Sequence, residues 1–502
     1  MNDASQGIPP VRRIRPLSVT RITVIACWAL GPLSLAGPSF AAAANGSPQL
    51  DPAASALARS VYRELIEINT TESVGSVTAA AEAMAARLRS AGFPAQDLQI
   101  LGPTNRKQNL VARLHGTGAE KPLLLIGHLD VVEAPRLEWS TDPFKLVERD
   151  GYFYGRGTSD MKDGDAIMVT TLMRLKREGY RPDRDVILAL TAAEEGGADN
   201  GVDWLVHTHR DLINADIVIN EDGQSVMSEH GVPQYYEIGA TEKVYADFLL
   251  STANRGGHSS LPRPDNAIYQ LTAGLSRVER YQFPFELNPI TRAYYERMLA
   301  RASGPRAEHI RGILKTPPAP AAVAAMARIP VDNSIERTTC VATRLTGGQA
   351  NNALPQAATA IVNCRILPGH SPEEVRETLV RVVADPGIRV QYVADDGVTV
   401  TDRAPDRKGF PPVPLPVQYL RPLEALVAQF WPGIPVIPFM DAGASDGVYT
   451  RGTGLPTYII TGIEIDRNDI RDHARNERLG VESFYRGNEF FYRYLKAITS
   501  AH

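Results

Sequence analysis

Cysteine is nearly absent from this chain, three residues in 502, which excludes a disulfide-built scaffold. Charge of either sign is not in excess. With 53 basic and 57 acidic side chains the net charge is −4, and nothing in that balance favours nucleic acid as a partner. Internal repeats and low-complexity tracts are also missing. Past residue 45 no apolar run approaches the roughly 20 residues needed to span a bilayer. What remains is a globular composition, 43% hydrophobic and 22% charged, in a chain too long for one ordinary core. Two domains are therefore expected.

The N-terminus has an order of its own. "MNDASQGIPPVRRIRPLSVTR" is basic, "ITVIACWALGPLSLAG" is apolar, and "PSFAAAANGS" is small and cleavable. That order reads as an export signal over residues 1–43, removed to leave a periplasmic or secreted protein. Gly31, Pro32 and Gly37 interrupt the apolar run and argue against a membrane anchor. Export changes the reading of Cys340 and Cys364, each in an alternating strand-like run with "GGQANNALP" between them. Antiparallel pairing about residue 352 would bring them face to face. A disulfide is then available, with two buried thiols as the alternative.

From residue 51 two amphipathic helices lead into "QNLVARLHG" and "KPLLLIGHLDVV", which read as strands. The second is apolar throughout, as in a strand buried on both faces. "GDAIMVTTLMRLKREGY" reads as a helix, "DVILALTAA" as a strand, "GVDWLVHTHRDL" as a helix and "ADIVINEDG" as a strand. Such alternation predicts an α/β domain with a mostly parallel sheet. From residue 243 the pattern changes to period two, in "KVYADFLLSTA", "TTCVATRL" and "AATAIVNCRIL". An antiparallel α+β domain is expected there, with a helix starting at Ser371 in a capping-box pattern. The predicted organisation is an α/β domain over 51–242 and 406–502, interrupted by an α+β domain over 243–405. A Pro-rich insertion near 282–335 lies inside the second.

Potential ligands collect at the strand ends of the first domain. "GHLD" offers His128 and Asp130, and the Gly-rich "GRGTSDMKDG" offers Asp160. "AAEEGG" offers Glu194 and Glu195, and "INEDG" offers Glu221 and Asp222. In a parallel sheet these loops share the carboxyl edge, where ligands of such folds bind. Taken singly, each has an ordinary structural explanation. Their joint placement points to a metal site. Imidazole and carboxylate without thiolate suit a borderline cation such as zinc, and the inventory suffices for two ions.

"GHLDVV", "GRGTSDMKDG", "AAEEGG", "INEDG", "GGHSSLP", "NNALP", "NCRILPG" and "HARNER" occur in that order. With them the chain resembles the aminoacylase-1 / glutamate carboxypeptidase / carboxypeptidase S family of co-catalytic zinc hydrolases. The resemblance implies two Zn2+ ions per subunit, with Co2+ or Mn2+ as substitutes. His128 would hold one and His473 the other, Asp160 would bridge them, and Glu195 and Glu221 would complete the shells. Asp222 stands where many relatives have glycine and competes with Glu221. Asp130 would orient His128, and Glu194 would act as general base. The interrupting domain would be a lid and homodimer interface carrying His258, which stabilises the oxyanion. Asn352 and Arg365 would bind substrate, Arg365 through the substrate's free carboxylate. "GASDG" (443–447) resembles a loop on the substrate side. His207, His209 and His370 are read as surface residues.

The implied reaction is hydrolysis of an amide next to a free carboxylate, by a carboxypeptidase or dipeptidase acting on peptides. An N-acyl amino acid amidohydrolase is the alternative, and a non-catalytic binding relative is a remote one.

Overall fold

A computed structural model describes residues 51–500 apart from 197, 395 and 407. The expected export signal lies outside the described residues. Among them no helix is long and apolar enough to cross a membrane.

The architecture is mixed α/β, as the alternation predicts. A ten-stranded sheet runs in the order 98–104, 107–114, 186–191, 123–128, 217–220, 457–459, 232–242, 226–229, 464–466, with 436–441 also paired to 232–242. Its centre is parallel: Leu123–His128 pairs with Val186–Thr191 on one side and Ile217–Asn220 on the other. Every residue of these three strands is buried, which accounts for their unbroken apolar character. The helix Lys162–Arg177 lies beneath, its buried residues including Ile167, Val169, Leu172 and Leu175. The parallel register places His128 opposite Thr191 and Ile126 opposite Asn220. The loops after these strands consequently open at one edge.

A second sheet is antiparallel, in the order 339–347, 357–366, 244–253, 388–393, 400–401. Helices Ala267–Arg280 and Pro372–Val383 pack on it around a separate core that includes Phe248, Leu250, Leu271, Val362 and Leu379. Ser371 caps the second helix through a reciprocal bond with Glu374, the predicted capping box. Cys340 and Cys364 sit opposite each other in register and are bonded, joining the edge strand to its neighbour.

The Pro-rich insertion departs from expectation. It folds as helices Pro289–Leu299, Gly304–Ile313, Pro320–Met326 and Pro330–Glu336. Ile290, Tyr295, Ile310, Ile313, Met326 and Ile335 join the large sheet's core and not that of the small sheet. Tyr294 packs on Phe439 with ring centres 5.9 Å apart, and Arg297 Nη1 donates to the carbonyl of Val436 at 2.7 Å. An apolar helix face can be read from a sequence, but the core it covers cannot.

Candidate metal centre

His128 ends a central strand and is almost fully buried. Its Nδ1 bonds the backbone carbonyl of Asp130 at 3.0 Å, which aims Nε2 at the sheet's edge. That Nε2 is buried without an aligned hydrogen bond, although it lies 3.2 Å from Asp160 Oδ1. The other oxygen of Asp160, Oδ2, is 2.9 Å from His473 Nε2. Asp160 therefore stands between two imidazoles brought from distant parts of the chain. Glu195 closes the far side, with Oε2 2.9 Å from His473 Nε2. Glu194 Oε2 is 3.9 Å from His128 Nε2.

The fourth strand corrects one expected ligand. Asp222, and not Glu221, faces the cluster, with Oδ1 3.9 Å from His128 Nε2. Glu221 is buried with neither carboxylate oxygen hydrogen-bonded, and the charge acting on it is that of Asp163. The strand ends at Asn220, and the chain leaves it with Asp222 turned to the cluster and Glu221 turned away.

Asp130 holds the His128 ring, as expected, but through its main chain. Its backbone carbonyl, not its carboxylate, holds the His128 ring; the carboxylate is 3.8 Å away. The carboxylate accepts the backbone N–H groups of Glu194 at 3.2 Å and Glu195 at 3.0 Å. Asp446, which the sequence placed only in a substrate-side loop, lies buried behind the cluster. It accepts from Thr191 Oγ1 at 3.1 Å and from Asn200 Nδ2 at 2.6 Å.

Electrostatically the cluster is short of positive charge. Burial, aided by Asp222, Asp446 and Glu195 and opposed by His128, pushes the Glu194 carboxyl well above its ordinary range. Asp222 is raised for the same first reason. Hydrogen bonds to Asp160 and Glu195 lift His473 to about 10. Burial would raise Asp160, but His128 and His473 outweigh it and hold that carboxyl below its usual value. The acids around both imidazoles leave the cluster with excess negative charge. A divalent ion offsets that excess with its own charge.

The donor set fits such an ion. Ligand atoms of His128, Asp160 and Glu195 all lie within 4.8 Å of one another. The orphaned Nε2 of His128 supplies a lone pair directed into that space. Nitrogen and carboxylate oxygen without sulfur is a set that borderline divalent metals accept.

The other expected residues lie on or beside the small sheet. His258 and Asn352 come together where Gly257–His258 pairs with Ala353–Leu354, and the Asn352 carbonyl accepts the Ser259 N–H at 3.0 Å. Both are exposed, and the His258 ring bonds Ser260 Oγ at 2.7 Å, not the cluster. Arg365 lies opposite Tyr245 in the sheet, its guanidinium 4.7 Å from the centre of that ring. His207 is exposed and His370 partly exposed, while His209 packs beside Trp204.

Comparison with known proteins identifies a family. Residues 124–497 match "Peptidase family M20/M25/M40". The N-fatty-acyl-amino acid synthase/hydrolase PM20D1 of Xenopus tropicalis is 26% identical over 371 residues, covering 72% of this chain and 69% of the relative. A probable carboxypeptidase S-like 2 of Dictyostelium discoideum is 25% identical over 384 residues, covering 75% and 71%. The crystal structure of an M20 family metallo-carboxypeptidase, Sso-CP2 from Sulfolobus solfataricus, superposes with a TM-score of 0.66 at 19% identity. It covers 88% of this chain and 99% of that one, and that likeness shows a shared fold. With the match spanning most of the chain and the acid–imidazole cluster assembled at the sheet edge, the protein belongs to peptidase family M20/M25/M40 and is an enzyme of the metallopeptidase and amidohydrolase kind.

Proposed function

We propose that the protein is a zinc-dependent hydrolase of amide bonds next to a free carboxylate, acting as a carboxypeptidase or dipeptidase. The observation that carries this reading is Asp160, whose two oxygens reach two different imidazoles while Glu194 Oε2 stands 3.9 Å from His128 Nε2. His128 and Asp222 would hold one Zn2+, His473 and Glu195 the other, and Asp160 would bridge the pair. When bound, the two ions polarise the scissile carbonyl and lower the pKa of the attacking water.

The remaining work falls to this chain's own groups. Glu194 takes the proton of that water and passes it to the leaving amine. Asp130 fixes Glu194 and Glu195 through their backbone N–H groups, so base and ligand keep a constant offset. Arg365 receives the substrate carboxylate as a bidentate fork, and Asn352 and His258, at the two-stranded ladder of 257–258 with 353–354, complete the site. The small sheet then serves as a lid, and its outer strand as a homodimer interface. Export through residues 1–43 places the enzyme in the periplasm or outside the cell.

A second reading has support of its own. The N-fatty-acyl-amino acid synthase/hydrolase relative favours N-acyl amino acids as substrates, which also carry a carboxylate beside the scissile amide. Incubation of the mature protein with dipeptides, longer peptides and N-acyl amino acids, with products read by mass spectrometry, separates the two. Release of C-terminal residues supports the peptidase, release of fatty or acetyl groups the deacylase. Cleavage that continues in excess chelator contradicts both.

A further inference from the structure

His473 is the site residue least supported by regular structure. His128 ends a buried strand, and Glu194, Glu195 and Asp222 follow strand ends within four residues, but His473 sits in an irregular loop. Its side chain is 54% exposed and its backbone φ is 62°, in the left-handed region. Yet its Nε2 must keep a set distance from Asp160, more than three hundred residues earlier. A short antiparallel ladder ties the bases of the two loops, Tyr154 opposite Arg478 and the Gly155 N–H on the Glu477 carbonyl at 3.3 Å, but no ladder pair reaches Asp160 or His473.

Two buried residues do. Arg156 is 2% exposed and Glu477 fully buried, and the guanidinium pairs with Glu477 Oε2. Arg156 Nη2 also donates to the carbonyls of His473 at 3.3 Å and Ala474 at 3.4 Å, and its Cζ lies over the Trp139 ring, 5.1 Å from the ring centre. The second oxygen of Glu477 accepts the backbone N–H of Ser159 at 2.9 Å. Ser159 immediately precedes Asp160, and its Oγ donates to Asp472, the residue before His473, at 2.6 Å. A buried ion pair needed only for packing can often be replaced by apolar side chains at no cost. This pair instead spends its hydrogen bonds on the main chain next to both residues.

We propose that Arg156 and Glu477 are positioning residues that form a latch between the Asp160 and His473 loops, and so determine how tightly the His473 side of the centre holds its ion. This inference rests on the two-ion reading above. Arg156 is suited to the task because its planar fork reaches Glu477 and two carbonyls at once; a lysine at that position presents a single point charge.

The test uses the mature protein stripped of metal and titrated with Zn2+ in a buffer of defined free zinc, with bound zinc counted by elemental analysis. Arg156→Lys, Glu477→Gln, His473→Ala and His128→Ala are compared with wild type. Wild type is expected to fill two tight sites. Arg156→Lys and Glu477→Gln should keep one tight site and weaken the other by about 10- to 100-fold, matching His473→Ala. Combined with His128→Ala, either latch variant should retain no tight site. In the metal-free state, hydrogen exchange over 472–477 should quicken while the central strands stay unchanged, which also verifies the fold. Two tight sites in both latch variants overturn the inference, as does equal weakening of both sites with faster exchange throughout. A wild-type protein that fills fewer than two sites overturns the two-ion reading itself, and this inference with it.

Discussion

Asp130 and Glu195 are joined through the main chain: the Asp130 carboxylate accepts the Glu195 N–H at 3.0 Å and the Glu194 N–H at 3.2 Å. The backbone carbonyl of the same aspartate holds the His128 ring at 3.0 Å. One residue thus sets the relative position of a ligand histidine, a ligand glutamate and the base. Asp130→Asn replaces one acceptor oxygen with an NH2 group that faces an N–H donor. We expect kcat/KM to fall by about 10- to 100-fold with weaker zinc retention, measured by steady-state kinetics alongside metal analysis.

Glu194→Gln keeps the shape of the base and removes its proton chemistry. Zinc content should remain that of wild type, while kcat falls by about 10²- to 10⁴-fold. A parallel loss of zinc would move Glu194 from proton transfer to metal binding.

Asp222 and Glu221 separate cleanly. Asp222→Ala should lose about one ion per subunit, whereas Glu221→Gln should keep both, because the Glu221 carboxylate has no partner and faces Asp163. Elemental analysis of the two variants after gel filtration decides the assignment.

Glu336 gives a pH signature far from the metal centre. It is fully buried, accepts the Tyr295 hydroxyl at 2.9 Å, and burial raises its carboxyl from 4.5 to about 7. Between those values the folded protein binds a proton that the unfolded chain releases. Stability from this group is therefore lost as pH rises from about 4.5 to 7. Glu336→Gln removes the dependence and should stabilise the protein by about 1–2 kcal/mol at pH 8 relative to pH 4.5. Urea titrations of both proteins at the two pH values measure it.

The disulfide closes a loop with a separation of 24 residues. Its removal by Cys340→Ser with Cys364→Ser should cost about 2–4 kcal/mol. Denaturant unfolding checks the cost, and the mass of alkylated protein with and without reductant checks the bond.

Much of the centre was legible because parallel strands deliver their carboxyl ends to one edge. His128, Glu194 and Glu195 follow apolar runs that could only be buried strands, and Asp160 precedes a helix whose start the glycines mark. Glu221 against Asp222 was not legible. That choice depends on which way the chain leaves Asn220, and side-chain alternation is no guide once a strand has ended. The hold of Asp130 on Glu194 and Glu195, and the place of Asp446, were hidden for a related reason. Both act through loop geometry, Asp130 on main-chain N–H groups and Asp446 on side chains of Thr191 and Asn200. The helices of 289–336 were read only as a Pro-rich insertion, and nothing in that composition shows that their apolar residues join the large sheet's core.

The most direct test of the account is a crystal structure of the mature protein grown with zinc, with anomalous differences recorded on both sides of the zinc absorption edge. Two peaks about 3.5–4 Å apart, one beside His128 and Asp222 and the other beside His473 and Glu195, with Asp160 between them, are the predicted result. A single peak, or two peaks that do not share Asp160, would contradict the bridged two-ion centre on which the proposed reaction depends.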